Sequence, residues 1–207
     1  MHKTINIEVG ANSGSHTKNL AGENVDMLYA FEPNPELYFN LTQAYKGNDK
    51  ICILPFAVSD KDSMDWFNIS RVGDKGTSSL YNYHENLGNT PAGNHEVFTT
   101  PWDYRILVPV IRIETFLNTF ANTDYVKINY IHIDAQGSDL NVLKGIGKYW
   151  DVLKEGVCEA TLDIPLYQDA NNQQDDILEF LGNKNVKTEL LRPHQNRTEI
   201  DIRFWID

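Results

Sequence analysis

Three short stretches of this chain carry residue types able to do chemistry. In Glu8-Val9-Gly10-Ala11-Asn12-Ser13-Gly14 a carboxylate stands beside two glycines, which let a backbone turn tightly and approach a ligand closely. The plain alternative is a strand-to-helix turn that only needs small residues. Glu32, followed by Pro33, lies 22 positions beyond Gly10; a carboxylate there can accept both hydroxyls of a ribose, as in nucleotide-binding α/β sheets. Its alternative is a solvated Glu opening a helix. The third stretch is Asp134-Ala135-Gln136-Gly137-Ser138, an acid directly before a turn. A dinucleotide site wants G-x-G-x-x-G, whose middle Gly admits the pyrophosphate. Asn12 stands at that position, so a nucleoside without phosphates fits better, and S-adenosylmethionine is the common one. An NAD-linked oxidoreductase stays open as the alternative.

These residues need strand ends to hold them. Ile5, Ile7 and Val9 alternate with polar residues and run into the first glycine turn, which reads as a strand followed by a short helix over 15–23. Residues 27–31 form a second apolar run, broken by Glu32-Pro33-Asn34-Pro35, and Pro in a first turn suits the helix implied by Leu37, Phe39, Leu41 and Tyr45. Residues 51–58 read as a third buried strand. The pattern degrades over 60–108, apart from a possible strand at 64–69, and a strand then a helix return over 110–120. Residues 130–134 read as a fourth strand and 156–162 as a fifth. A last helix over 173–181 is expected to stop at Gly182 in a left-handed cap, before a closing hairpin formed by 186–191 and 200–206. Alternating strands and helices predict a three-layer α/β sandwich, with ligands outside the carboxyl ends of its strands.

The composition excludes several classes of function. With 18 Lys+Arg against 29 Asp+Glu the formal charge is −11, which repels phosphate backbones and anionic lipid. Neither a nucleic-acid partner nor a membrane partner is expected. No stretch approaches a membrane span and the start lacks the apolar core of a signal peptide, so a cytoplasmic location is expected. The two cysteines, Cys52 and Cys158, have no metal-ligand spacing.

EVGANSG, AFEPNPELY, PFAVSD and YIHIDAQGSDLNVLKG, in this order, resemble the motif series of the FkbM-type SAM-dependent methyltransferases. The first three are shared widely among class I methyltransferases, whereas I-D-x-x-G-x-[DE]-x-x-V-L-x-G, here 133–145, is far more specific. Gly76-Thr77-Ser78-Ser79-Leu80 resembles a further element of the family. Two residues depart from it: Glu8 replaces the usual Asp, and His132 stands where Lys is usual. The chain also starts almost at its first strand, without the upstream helices of many relatives.

The resemblance implies a Rossmann-like class I sheet of order 3-2-1-4-5-7-6 with an antiparallel last strand, built as one domain over 1–207. It implies S-adenosyl-L-methionine as the cofactor. Glu8, Gly10, Asn12 and Gly14 would hold its methionine part, Glu32 and Pro33 the ribose, and Ala57, Val58 and Asp60 the adenine edge. Asp134 and Gln136 would border the transferred methyl. By that order Cys52 and Cys158 stand four strand spacings apart, roughly 19 Å, beyond disulfide reach. The implied activity is O-methylation of a hydroxyl on a small molecule such as a sugar or natural product. A catalytically silent fold used as a binding module is the reading from another class.

A neutral alcohol acceptor needs a base. Asp134 is the first candidate, and the bland reading is that it orients cofactor or caps the next helix. His132 points to the same side one pleat deeper and reads better as a buried structural histidine. His84 and His95 lie in an insertion at about 61–109, expected to form an acceptor lid, and could reach the site if it folds over. Glu159 on the adjacent strand could pair with Asp134, but two carboxylates are too few to predict a metal site. The insertion carries Trp66, Tyr81, Tyr83, Phe98, Trp102 and Tyr104, an acceptor pocket or the small core of a subdomain.

Overall fold

The computed structural model describes residues 3–22, 24–71, 75–84, 102–119, 126–162, 166–191, 193 and 198–206. The central strand β1 (Lys3–Val9) is buried on both faces from Ile5 onward. Ile5, Ile7 and Val9 enter the main core. The polar alternate positions are satisfied internally: the Asn6 side-chain amide donates to the Leu20 carbonyl at 2.7 Å, and Glu8 meets Thr17. Both partners belong to α1 (Thr17–Leu20), which covers this face. The alternation of a half-exposed strand thus belongs here to a strand with a second, polar interior.

Strand β2 (Met27–Phe31) leads into α2 (Pro35–Ala44), which starts on Pro35 with the Asn34 carboxamide accepting from the Glu36 and Leu37 N–H groups. The expected single strand over 51–58 is two. Strand β3 (Ile51–Leu54) pairs with β2, whereas β4 (Ala57–Val58) leaves the main sheet and pairs with β6 (Tyr104–Ile111). Pro55 lies at the break, where its missing N–H ends the ladder. Strand β5 (Ser63–Ile69) pairs antiparallel with β6, so a second sheet of order β4-β6-β5 stands beside the first. Then come α3 (Ile113–Thr119), β7 (Val126–Ile133), α4 (Asp139–Gly145), a 3₁₀ turn (Gly147–Val152) and β8 (Leu153–Thr161), followed by α5 (Gln174–Gly182), β9 (Lys187–Leu190) and β10 (Glu199–Trp205).

The main sheet runs β3-β2-β1-β7-β8-β10-β9, parallel except for β10, which is antiparallel to both neighbours. This is the order that the motifs imply. Cys52 on β3 and Cys158 on β8 are both free thiols, four strands apart. On one face, Phe116 of α3 sits edge-on to Tyr29 and Phe31, with ring centroids 4.9 and 5.1 Å away. Gly145 at the end of α4 is fixed by close approach: a Cβ there would stand 2.2 Å from the Ser59 carbonyl oxygen. The expected left-handed stop at Gly182 is not formed. The helix continues through Gly182, and the left-handed residue is Asn185, φ +56°, a type that tolerates that region. Among the described residues no helix is long and apolar enough to cross a membrane.

Candidate active site

The turn after β1 is drawn onto two neighbouring strand ends. The Gly10 and Ala11 N–H groups both donate to the Phe31 carbonyl at 3.0 Å, and the Asp134 N–H donates to the Val9 carbonyl at 3.0 Å. Gly10 adopts φ +79°, and a Cβ there would lie 1.9 Å from the Asp134 carbonyl oxygen. Glycine is required by conformation and by space at once. Asn12, left-handed at φ +48°, sends its N–H to Glu32 Oε2 at 2.7 Å, and the Asn34 N–H reaches Glu32 Oε1 at 2.8 Å. Each Glu32 oxygen takes one backbone donor, which leaves further lone pairs for a ligand.

Glu8 accepts from the Thr17 hydroxyl at 2.7 Å. Burial pushes its carboxyl up to about 7, against the Thr17 bond, with Glu32 and Asp134 adding repulsion. Burial likewise pushes Glu32 up to about 7, against its two backbone bonds, and Asp134 adds to the rise. Three acids crowded at adjacent strand ends suit a ligand that brings positive charge.

The turn opens on a cleft whose space, open mouth included, is about 550 Å³. Gly10, Asn12, Glu32, Pro33, Ala57, Val58 and Asp134 line it. Glu8 and Gly14 sit behind the turn, and Asp60 is exposed, its Oδ1 accepting from the Ser59 hydroxyl at 3.3 Å. Sequence reasoning missed Phe56 and Phe67, which face the cleft together with Leu80. Lys75, Gly76 and Ser78 close its other side, and Lys75 is ion-paired with Glu36 at the start of α2. The Gly76–Leu80 element was the available signal for this wall. Nothing in the sequence pointed to Phe67.

Gln136 does not line the cleft. Its side-chain amide donates to Asp134 Oδ1 at 2.6 Å and to Glu159 Oε2 at 3.1 Å, while its Oε1 accepts from the Tyr167 hydroxyl at 2.6 Å. Its carbonyl accepts from the Ser79 hydroxyl at 2.6 Å, and its backbone is left-handed at φ +47°. Burial, then Asp134, raises the Glu159 carboxyl well above the usual range. Fully buried Asp139 is raised in the same way. Asp139 Oδ1 accepts from the Ala135 N–H at 3.2 Å. His132 stacks on His16 with ring centroids 4.5 Å apart; burial, then His16, lowers it to about 4, in keeping with a neutral structural histidine. The His84 N–H donates to the Leu166 carbonyl, and His84 does not reach the cleft lining; His95 lies outside the described residues. Tyr83 stacks on Trp102 at 4.0 Å and bridges to Tyr167. Among the described residues, no three His, Cys, Asp or Glu side chains are gathered as metal ligands.

The profile of the methyltransferase FkbM domain matches residues 8–207. The chain belongs to the FkbM methyltransferase family. Membership carries S-adenosylmethionine as the cofactor, and a glycine turn with a trio of acids at neighbouring strand ends suits a cationic nucleoside. It also sets aside the NAD-linked alternative, in keeping with Asn12 at the place of the middle glycine. Solved structures similar to this FkbM methyltransferase share its fold at low identity. Fibrillarin from Aeropyrum pernix, in complex with natively bound S-adenosyl-L-methionine, is 8% identical with a TM-score of 0.51 over 99% of this chain and 66% of that one. A candidate methyltransferase from Streptococcus mutans, in complex with SAH, is 9% identical with a TM-score of 0.50 over 98% and 88%. An rRNA methylase from Streptococcus thermophilus is 13% identical with a TM-score of 0.48 over 99% and 87%. No curated protein matches the chain.

Proposed function

We propose that this FkbM methyltransferase O-methylates a hydroxyl of a small molecule, with Asp134 as the base. The observation that carries the reading is the place of Asp134 in the lining of the cleft that also contains Gly10 and Glu32. When bound, S-adenosylmethionine supplies a methyl carbon made electrophilic by the sulfonium. Glu32 holds the ribose hydroxyls with the lone pairs its backbone donors leave, and Phe56, Ala57 and Val58 offer an apolar wall to the base. Glu8 acts from behind the turn as a counter-charge. Asp134 takes the proton of the acceptor hydroxyl, a role worth about 10² to 10⁴ in rate. The walls exclude water and align the reactants, and such positioning can supply roughly 7 to 11 kcal/mol.

Residues 75–84 belong to the insertion, and we read them as the described part of an acceptor lid on a single domain. Two features favour a small, non-anionic acceptor. Lys75 is the one cation among the described residues lining the cleft, and it is already paired with Glu36. The chain as a whole carries −11, a poor match to RNA.

Calorimetry with S-adenosylhomocysteine, followed by transfer of labelled methyl to a panel of sugars, phenols and ribosomal RNA, tests the reading. Cofactor binding with transfer to a hydroxyl compound is expected, and Asp134→Asn should lower kcat at least about 100-fold. Full turnover in Asp134→Asn removes the base assignment. Transfer to RNA alone replaces the acceptor class.

A further inference from the structure

Gln136 is the junction of a network that the proposed transfer of a methyl group leaves unused. Its amide nitrogen spends both hydrogens on carboxylates, one on Asp134 at 2.6 Å and one on Glu159 at 3.1 Å. An amide has two ends, and only one orientation presents NH₂ to the acids. The two carboxylates demand that orientation, and the Tyr167 hydroxyl, donating to Oε1 at 2.6 Å, holds the other end of the amide in it. Tyr167 is itself held, packed against Tyr83 and 2% exposed. The Gln136 main chain is tied to Ser79 of the insertion. Its left-handed backbone carries a conformational cost for a side-chain-bearing residue, which this set of bonds offsets.

The two acids on this amide are unequal. Asp134 is half-buried, lines the cleft and receives the shorter bond. Glu159 is 7% exposed, and its main-chain carbonyl accepts from the Asn172 amide. Glu199 and Asp201 on β10 add negative charge around Glu159, and the buried Asp139 carboxyl of α4 stands close by. Two carboxylates bridged by one neutral amide in such a field do not both ionise readily, and the proton stays on the drier, more crowded one.

We propose that Gln136, locked by Tyr167, is a positioning residue that divides the pair: Asp134 stands as the charged carboxylate toward the cleft, and Glu159 as the proton-bearing neighbour behind it. The amide keeps the two acids on one donor without a charge of its own. It aims Asp134 at the cleft and favours its ionised form, while Glu159 stays neutral and spares the cofactor site another charge. The inference rests on the reading of Asp134 as the base, yet it can be tested without cofactor or acceptor.

Carbon-13 labelling of Asp and Glu carboxyls in the full chain allows each to be titrated by NMR, with Asp134→Asn and Glu159→Gln assigning the two signals. In the wild type Asp134 is expected to ionise at least about one pH unit below Glu159, a tenfold difference in proton affinity. Gln136→Leu removes both donors and should raise the Asp134 midpoint by about one unit. Tyr167→Phe keeps the ring but frees the amide, and should move the midpoint the same way by a smaller amount. It decides the matter by itself if Gln136→Leu does not fold. Glu159 ionising first in the wild type overturns the proposal. So does an Asp134 midpoint unmoved in both variants, or in Tyr167→Phe alone when only that variant folds. Failure of the wild type to bind S-adenosylhomocysteine is a separate result: it would remove the cofactor reading and leave the titration to stand or fall by itself.

Discussion

At the scale of single residues, Glu32 does two jobs with one carboxylate: it ties down the Asn12 and Asn34 N–H groups and keeps lone pairs toward the cleft. Glu32→Gln disturbs both, because its amide would turn an NH₂ toward at least one backbone donor. Losing a buried charged acceptor costs about 1 to 3 kcal/mol. The S-adenosylhomocysteine Kd is therefore expected to rise roughly 10- to 100-fold, and calorimetry checks it; an unchanged Kd would remove Glu32 from the cofactor site. Gly10→Ala is harsher, since both the φ of +79° and the 1.9 Å approach to the Asp134 carbonyl oppose a methyl group. Folded protein of wild-type melting temperature is the outcome that this geometry forbids.

At the scale of elements, the helix-starting logic of Asn34 is measurable apart from the site. Asn34→Ala removes a side-chain acceptor from two N–H groups of α2 while leaving the Asn34 backbone donor to Glu32 in place. Urea unfolding should show a loss of about 1 kcal/mol, within the usual range for caps. The elements themselves were legible where local chemistry agrees with the fold: Pro35 beginning a helix, the alternation in β1, the closing hairpin of β9 and β10. What stayed hidden depends on partners distant in sequence. That Pro55 hands the chain from one sheet to another cannot be read until β6 exists to receive β4. The N-terminal half of β6 looks like loop because Tyr104, Arg105 and Leu107 are exposed, which blurs the period. Gly10, Asn12, Glu32 and Asp134 could be singled out because motif residues sit at strand ends, and all four line the same cleft. Gln136 was singled out with them, but its side-chain partners Glu159 and Tyr167, distant in sequence, could not be read from it.

At the scale of the whole molecule, buried acids give the apoprotein an unusual pH response. Glu8 and Glu32 have folded pKa values of about 7 against an ordinary 4.5, so over that interval the folded state holds protons that the unfolded chain has lost. The stabilisation is full below the ordinary value and disappears as pH rises through 7. Each group accounts for on the order of 3 kcal/mol, less in combination because they repel one another. Glu159 and Asp139 shift in the same direction. His132, lowered from 6.5 to about 4, acts oppositely: its neutral burial is favourable above 6.5 and costs stability as pH falls below it. Between pH 6.5 and 8.5 the acids therefore decide the sign, and the melting temperature of the apoprotein should fall across that window. A cation-bearing ligand favours the ionised acids, so S-adenosylmethionine should bind more tightly as pH rises and flatten the fall. Calorimetric scans with and without ligand check both statements, and a melting temperature that rises with pH in the apoprotein would contradict the first.

The contact of Gly10 with the Asp134 carbonyl has a consequence for anyone wishing to redirect this enzyme. The turn proposed to hold the cofactor and the loop carrying the proposed base are packed backbone on backbone, with no side chain between them to absorb a change, so neither can be retuned alone. Sequence diversity introduced at 8–14 or 133–138 would spoil alignment before it altered choice. From the insertion, Lys75, Gly76, Ser78 and Leu80 line the same cleft. A combinatorial library aimed at new acceptors belongs there.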